Sequence, residues 1–192
     1  GLYISLNAGN SFMLFSDDLP RVAVHDLTIQ NRDKDIVIGT HGRSIYKADL
    51  EEVQLLADSI LNAGFYAFQV KDIHFNDYQG KKYWAYGDFA TQSIDLPYYS
   101  KNNSTMIGNI YNEQDMLLYS FTDTADAGLN FYKYNLIMDN TIAESLARTQ
   151  KESEFLLSKA DDGHYYLPPG RYYCEWITES GNAGRHTFSI IQ

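Results

Sequence analysis

The chain has 192 residues, of which 44% are hydrophobic, and it carries a formal net charge of −10 at pH 7. This composition supplies enough apolar surface for a folded core and excludes wholesale disorder. The negative charge disfavours nucleic acid and anionic membrane surfaces, and no apolar run approaches the ~18 residues of a membrane-spanning helix. We therefore expect no nucleic-acid partner and no membrane insertion. The one cysteine, Cys174, excludes an intrachain disulfide.

Residues 1–49 predict a series of short strands separated by turn signals. The strands are expected at 2–6, 12–16, 22–29, 35–40 and 43–48. The sequence SLNAGNSF joins the first two strands, and its Asn and Gly residues accept the positive φ of a hairpin turn. We expect a hairpin here, with Phe12 packed back over the turn.

Residues 50–79 predict a helix followed by an extended segment. Asp49 and Glu52 form a candidate capping box, apolar residues follow at helical spacing, and a glycine stops the helix. We interpret the segment as a linker helix and a strand that dock one domain onto another.

Residues 80–192 predict a β-sandwich with one short helix, because a series of short strands separated by turns is typical of that architecture. The strands are expected at 93–99, 104–111, 116–121, 129–138, 163–167, 171–179 and 185–191. A capping box of Thr141 and Glu144 predicts a short helix at 141–151, inserted between two strands. The whole chain is therefore expected to be mainly β.

Four positions of the first hairpin resemble an Asp-box, the S-x-D-x-G-x-x-W hairpin of sialidase-type β-propellers. These positions are Ser5, Asn7, Gly9 and Phe12. Asn7 stands where the family has Asp, and Phe12 stands where it has Trp. The resemblance implies that the hairpin belongs to a propeller blade.

The stretch from 19 to 50 resembles the last blade of large secreted bacterial propeller proteins, which are labelled glycosyl hydrolases with bacterial-neuraminidase (BNR) or sortilin-type repeats. The matching residues are Leu19, Pro20, Val24, His25, Asp26, Leu27, Thr40, His41, Gly42, Arg43 and Tyr46. Ser44 replaces the second glycine of the family's T-H-G-R-G motif. The resemblance implies that residues 1–49 are the last blade and a half of a truncated β-propeller. It also implies a parent protein that is secreted, periplasmic or on the cell surface.

Residues 80–192 resemble the Ig-like sandwich that follows the propeller in such proteins and is similar to that of the flagellar hook-capping protein. The matching residues are Ile110, Ala127, Gly128, Leu129, Asn130, Leu136, Pro168, Pro169, Gly170, Arg171 and Tyr172. The chain departs from the family pattern at Tyr134, where the family has Trp, and at Gln114 and Asp115, where it has a turn glycine. The resemblance implies an Ig-like or fibronectin-like β-sandwich at 80–192.

Three residues, His25, Asp26 and Arg43, are the candidates for chemistry. A histidine beside an aspartate can act as a base with its orienting group, and an arginine can clamp a carboxylate or phosphate. The alternative is that Asp26 and Arg43 fix the blade turns through bonds to the backbone. Retaining glycosidases need two carboxylates about 5 Å apart, which one blade and a half does not supply. We therefore expect no catalytic residue in this chain, whereas its parent resembles a glycoside hydrolase.

Four tyrosines, Tyr98, Tyr99, Tyr132 and Tyr134, are candidates for stacking on sugar rings, which would make 80–192 a carbohydrate-binding module. The alternative is that they alternate between the core and a half-exposed sheet face. The five histidines are scattered, with no i, i+4 pair and no CxxC motif, so we expect neither a metal nor another cofactor.

These patterns predict a non-catalytic C-terminal fragment that closes and caps a propeller and mediates interactions. The expected partners are the rest of the parent propeller and, for the isolated fragment, a second copy in a homodimer. Two alternatives remain: a carbohydrate-binding module whose partner is a glycan, and a part of a glycoside hydrolase active site at His25, Asp26 and Arg43.

Overall fold

The computed structural model of the protein describes residues 1–6, 8–15, 19–149, 157–179 and 181–192. The fold is mainly β, as expected from the sequence, with 47% of the chain in strands and 11% in helices. The chain divides into two compact units, residues 1–58 and residues 59–192.

The first unit contains a two-stranded hairpin and a three-stranded antiparallel meander. Its strands are β1 (Tyr3–Ile4), β2 (Met13–Leu14), β3 (Val24–Gln30), β4 (Asp35–Thr40) and β5 (Ile45–Asp49). β1 pairs with β2, and β4 lies between β3 and β5. All five strands expected in this part of the sequence form, but β1 and β2 are only two residues long.

The core of the first unit lies on one face of the meander. Ile36 and Ile38 of β4 are buried there, together with Leu19 and Leu50. Successive side chains of a strand point to opposite faces, so Val37, between these two isoleucines, points away from the core. The β-branched sequence of β4 therefore forms the central strand of this sheet.

Two short helices, α1 (Glu51–Leu55) and α2 (Asp58–Asn62), replace the single helix expected after residue 50. The N-cap residue of α1 is Leu50, which makes no side-chain capping hydrogen bond, so Asp49 is not the N-cap that the expected capping box with Glu52 requires. The carboxylate of Asp49 accepts a hydrogen bond from the N–H of Glu51 at 2.8 Å instead. The helix breaks at Leu56, whose ψ of 87° lies outside the helical range. The break falls near the boundary between the two compact units.

The second unit holds the longer strands and a ten-residue helix. Its elements are β6 (Phe65–Ala67), β7 (Ile73–His74), β8 (Ile94–Ser100), β9 (Ser104–Asn112), β10 (Leu117–Ala125), β11 (Gly128–Tyr134), β12 (Ile137–Met138), α3 (Asn140–Thr149), β13 (Tyr165–Tyr166), β14 (Gly170–Thr178) and β15 (Gly181–Ile191). A five-stranded sheet has the order β10-β9-β14-β15-β7, and β7 runs parallel to β15. A three-stranded sheet has the order β11-β8-β6, and β12 pairs with β13. β6 and β7 come from the segment interpreted as a linker, and both are strands of these larger sheets.

The five-stranded and three-stranded sheets pack against each other through aromatic rings. Trp176 of β14 and Tyr98 of β8 are both buried, and their ring centroids are 4.6 Å apart. Phe121 of β10 meets Trp176 edge-on at 5.4 Å. The same phenyl ring lies over Gly108 of β9, where a Cβ atom would be 2.1 Å from it. A side chain at position 108 would therefore displace Phe121 from the core.

Helix α3 begins one residue earlier than the sequence predicts, and a different residue caps it. The carboxylate of Asp139 accepts hydrogen bonds from the N–H groups of Thr141 and Ile142, at 2.9 and 3.1 Å. The capping box predicted from Thr141 and Glu144 is wrong, because the aspartate before the helix satisfies its free N–H groups. The last two residues of the expected helix, 150 and 151, lie outside the described residues.

Candidate functional site

The hairpin that resembles an Asp-box is held by its serine. Ser5 Oγ accepts a hydrogen bond from the N–H of Gly9 at 2.7 Å. Ala8 and Gly9 adopt positive φ angles of 55° and 86°, which is the conformation that favours glycine. The ring of Phe12 approaches Gly9, with 3.9 Å between its tip and the position of a Cβ atom there. Asn7, the remaining position of the motif, lies outside the described residues.

The first chemical candidate, His25, lies in a β-bulge of β3. Val24 lies opposite Thr40 and Asp26 lies opposite Gly39, so His25 is an extra residue with no partner on β4. The imidazole ring of His25 stacks on that of His41, with the centroids 4.9 Å apart and the planes 19° apart.

The loop between β4 and β5 contains the rest of the blade motif, Thr40, His41, Gly42 and Arg43. The hydroxyl of Thr40 donates a hydrogen bond to the carbonyl oxygen of Ser44 at 2.6 Å, which closes the loop. Gly42 and Ser44 have φ angles of 70° and 84°. Ser44 replaces the second glycine of the T-H-G-R-G motif, and it adopts a conformation that glycine takes more readily.

The chemical candidates His25, Asp26 and Arg43 do not form a catalytic constellation. All three side chains are exposed. The carboxylate of Asp26 accepts a hydrogen bond from the N–H of Leu27 at 2.9 Å, and no hydrogen bond joins it to His25. Arg43 forms no ion pair with the described residues. The bond of Asp26 is of the side-chain-to-backbone kind, which fixes local backbone geometry.

One face of the meander is only half covered. Leu27 and Ile29 of β3 lie directly across from Ile38 and Ile36 of β4. The two β4 residues are 2% and 7% exposed, whereas Leu27 is 46% exposed and Ile29 is 53% exposed. Among the described strands β3 pairs with β4 alone, so its outer edge is open. We call Leu27 and Ile29 the open face of the meander.

The proposed sugar-stacking tyrosines require a correction, because three of them are buried. Tyr98, Tyr99 and Tyr134 lie in the interior of the second unit and present no ring face to solvent. The half-buried ring of Tyr132 stacks on Phe121 with 3.8 Å between centroids. Tyr98, Tyr132 and Tyr134 therefore belong to or pack against the hydrophobic core of the second unit.

The hydroxyl groups of Tyr98 and Tyr99 form hydrogen bonds within the protein. Tyr98 donates a hydrogen bond to the carboxylate of Asp123 at 2.7 Å, and Tyr99 donates one to the carbonyl oxygen of Leu61 at 3.3 Å. Burial, together with the Asp123 carboxylate, raises the pKa of Tyr98 above its ordinary value. Burial also raises the pKa of Tyr132, to about 12. Both phenols therefore stay neutral at physiological pH.

An exposed aromatic segment between β7 and β8 is the most conspicuous surface feature of the second unit. Its exposed rings are Tyr78 (53%), Tyr83 (64%), Trp84 (68%) and Tyr86 (100%). We call residues 78–90 the aromatic hairpin. The sequence interpretation assigned no element or role to it, although Tyr83-Trp84-Ala85-Tyr86 places three aromatic residues within four positions.

Backbone hydrogen bonds close the aromatic hairpin into a defined loop. The N–H of Gly80 donates to the carbonyl oxygen of Ala90, and the N–H of Ala90 donates to that of Lys81, both at 2.8 Å. At the tip, the N–H of Gly87 donates to the carbonyl oxygen of Trp84 at 3.0 Å. The loop is therefore held at its base and at its tip.

The base of the aromatic hairpin is fixed to the rest of the second unit at Gly80. This glycine has a φ of 70°, and a Cβ atom there would lie 2.5 Å from Tyr166 and 2.7 Å from Ala160. The carbonyl oxygen of Gly80 accepts a hydrogen bond from the N–H of Asp162 at 3.1 Å. The buried side chain of Gln79 donates to the carbonyl oxygen of Gln92 at 2.9 Å.

The rings of the aromatic hairpin are ordered relative to one another. Tyr78 and Tyr83 stack with centroids 5.0 Å apart and planes 23° apart. The indole of Trp84 lies against Gly87, where its Nε1 is 2.8 Å from the position of a Cβ atom. The ammonium group of Lys82 lies 4.6 Å from the ring centroid of Phe89.

The described residues contain neither a candidate metal site nor a candidate membrane-spanning helix. No group of three or more His, Cys, Asp or Glu side chains in this part of the chain could hold a metal ion. No helix in the described ranges has the length and apolar character needed to cross a membrane.

Comparison with known proteins gives no match of the chain to a family model and no match to a curated protein sequence.

Proposed function

We propose that this chain is a non-catalytic part of a larger β-propeller protein, in which it closes the propeller and mediates interactions. In this proposal residues 1–49 are the last blade and a half, and residues 80–192 are an Ig-like sandwich that caps the propeller. The partner is the rest of the parent propeller, a secreted, periplasmic or surface protein that resembles glycoside hydrolases.

The observation that carries the proposal is the open face of the meander. Leu27 and Ile29 are half exposed on the same sheet face as the buried Ile36 and Ile38. Covering the exposed halves of two such side chains is worth about 2 kcal/mol. An adjoining blade would supply that cover.

The strand count of the meander also supports the proposal. Propeller blades are commonly four-stranded, and the meander β3-β4-β5 has three strands in the described residues. A strand from the parent would complete the blade and would also pair with an open sheet edge, which is a site of aggregation when left unpaired.

A non-catalytic role is supported by the exposure of the chemical candidates. Asp26 is a single carboxylate, it is bonded to the backbone, and it lies in no pocket that excludes water. Glycoside hydrolysis needs a second carboxyl group across the scissile bond. In this proposal the remaining blades supply whatever active site the parent has.

The experiment measures binding between this chain and the separately expressed part of the parent that precedes it. Titration calorimetry should show a saturable complex. Leu27→Lys together with Ile29→Lys should weaken it at least ten-fold, because two charges would enter an apolar interface. Ile107→Lys is the matched control, because Ile107 is a comparably exposed strand residue in the second unit.

Two results would contradict the proposal. One is the absence of any complex between folded partners. The other is equal binding by the Leu27/Ile29 variant and by the unmodified chain. A complex of two copies of this chain that persists in excess of the parent segment would assign the open face to a homodimer instead.

A further inference from the structure

We infer that the aromatic hairpin is a binding site for a neutral carbohydrate. The site lies in the second unit, and it depends neither on residues 1–49 nor on the presence of a propeller. It also differs from the tyrosines proposed from the sequence, because its rings face solvent whereas those of Tyr98 and Tyr134 are buried.

The exposure of the hairpin rings needs a reason, because exposed apolar surface is unfavourable in water. Tyr78, Tyr83, Trp84 and Tyr86 are all more than half exposed within nine consecutive positions. Isolated exposed aromatic residues are common, but a cluster on one loop marks an interaction site.

The hairpin holds the rings of Tyr78, Tyr83 and Trp84 in place before a ligand arrives. Its base is closed by the two hydrogen bonds between Gly80, Lys81 and Ala90. Gly80 fits against Tyr166 so closely that no other residue type can occupy the position without movement. A preordered site loses less conformational entropy on binding than a flexible loop would.

The charges around the rings favour an uncharged ligand. Two acidic residues, Asp88 in the hairpin and Asp77 directly before it, balance the charges of the hairpin's two basic residues, Lys81 and Lys82. All four side chains are exposed. Nucleobases also stack on aromatic rings, but single-stranded nucleic acid needs a positively charged groove, and the chain has a net charge of −10.

The residue types around the rings favour a sugar over an apolar protein surface. The stretch 76–89 contains no Leu, Ile, Val or Met, so no aliphatic side chain from it extends the aromatic patch. The C–H face of a pyranose ring stacks on an aromatic face, while its hydroxyl groups need hydrogen-bond donors and acceptors nearby. The Lys82 ammonium, the Asp88 carboxylate and the tyrosine hydroxyls provide both.

The two stacked tyrosines and the indole would act as separate platforms for successive sugar units. Tyr78 and Tyr83 form one stacked pair, and the indole of Trp84 packs against Gly87. The expected ligand is therefore an oligosaccharide or polysaccharide chain of neutral hexoses or pentoses.

The test uses the intrinsic fluorescence of the intact chain, which has two tryptophans. Trp176 is fully buried, so quenching by acrylamide reports on Trp84. The probes are the neutral hexasaccharides of cellulose, xylan, mannan and chitin. At least one probe should shift the emission to shorter wavelength in a saturable way and protect Trp84 from quenching.

Calorimetry of variants then tests the residues. Trp84→Ala and Tyr83→Ala should each weaken binding at least ten-fold, and Trp84→Phe should retain part of the affinity because it keeps a ring face. Phe131→Ala is the control, because Phe131 is a half-exposed aromatic residue on β11, outside the hairpin. Its binding should be unchanged, and unchanged melting temperatures show that the variants are folded.

Three outcomes would overturn the inference. The first is no saturable binding of any of the four probes by the folded chain. The second is an equal loss of binding in Phe131→Ala. The third is an emission shift that follows protein concentration without any sugar, which would assign the hairpin to contact between two copies of the chain. The Leu27/Ile29 experiment has no bearing on these outcomes, so the two proposals fail separately.

Discussion

Lowering the pH is expected to destabilise the second unit through one buried histidine, His186 of β15. The side chain is almost completely buried, and its Nδ1 donates a hydrogen bond to the carbonyl oxygen of Phe68 at 2.7 Å. Nε2 has no hydrogen-bond partner among the described residues, and the indole of Trp176 lies 6.0 Å away, edge to face. A proton on Nε2 would therefore place an unpaired charge in the core.

The size of the effect follows from the pKa of His186. Burial lowers this pKa from 6.5 to about 4, and the hydrogen bond to Phe68 opposes the shift only in part. The unfolded chain binds the proton near pH 6.5, whereas the folded chain does not bind it until about pH 4. The contribution of His186 is therefore complete above pH 6.5 and is lost as the pH falls toward 4. One pKa unit corresponds to ~1.4 kcal/mol, so about 3 kcal/mol of stability is lost.

The assay is urea unfolding between about pH 7 and pH 4, followed by the change in tryptophan fluorescence as the buried Trp176 becomes exposed. Carboxylates also titrate in this range, so the informative quantity is the difference from His186→Gln, which keeps a donor for Phe68 and does not titrate. The unmodified chain should lose about 3 kcal/mol more than this variant does. Parallel pH profiles for the two proteins would refute the assignment of the acid sensitivity to His186.

Three further predictions concern packing, capping and chemistry. Gly80→Ala should destabilise the second unit by about 2–4 kcal/mol, because it combines a positive φ with overlap on Tyr166. Gly163 has a similar positive φ but open space around it, so Gly163→Ala should cost only about 1 kcal/mol in the same urea assay. Equal losses of stability in the two variants would contradict the expected overlap with Tyr166. Asp139→Ala should cost about 1 kcal/mol by removing the cap of α3, whereas Asp139→Asn should cost less, and thermal unfolding would compare them. The chain should not hydrolyse aryl glycosides or sialosides, and turnover abolished by Asp26→Asn would contradict the non-catalytic proposal.

The strands of the second unit could be located from the sequence because their side chains alternate in polarity. β9 and β14 begin and end within a residue or two of the expected positions. Alternation does not reveal, however, how much of each face is covered. β8 is buried along nearly its whole length, so Tyr98 and Tyr99 are both inside although they point to opposite faces. For that reason the sugar-stacking prediction is wrong for Tyr98 and Tyr99.

Local signals were less reliable where two residues compete for one role. Asp139 and Thr141 are both good capping residues, and only the backbone path decides that the aspartate caps α3. The bulge at His25 left no sign in the polarity pattern, because it inserts one residue into an otherwise regular strand. The aromatic hairpin has no periodicity, so its composition was the only available signal.

The central claim is that another blade covers the open face of the meander. Thiol labelling of an Ile29→Cys variant measures this most directly. Cys174 is the one native cysteine and is fully buried, so a thiol reagent reports on position 29 alone. The account predicts fast labelling in the isolated chain and strong protection, by roughly a hundred-fold, when the chain is part of the proposed full-length propeller protein. Equal labelling rates in the two proteins would contradict it.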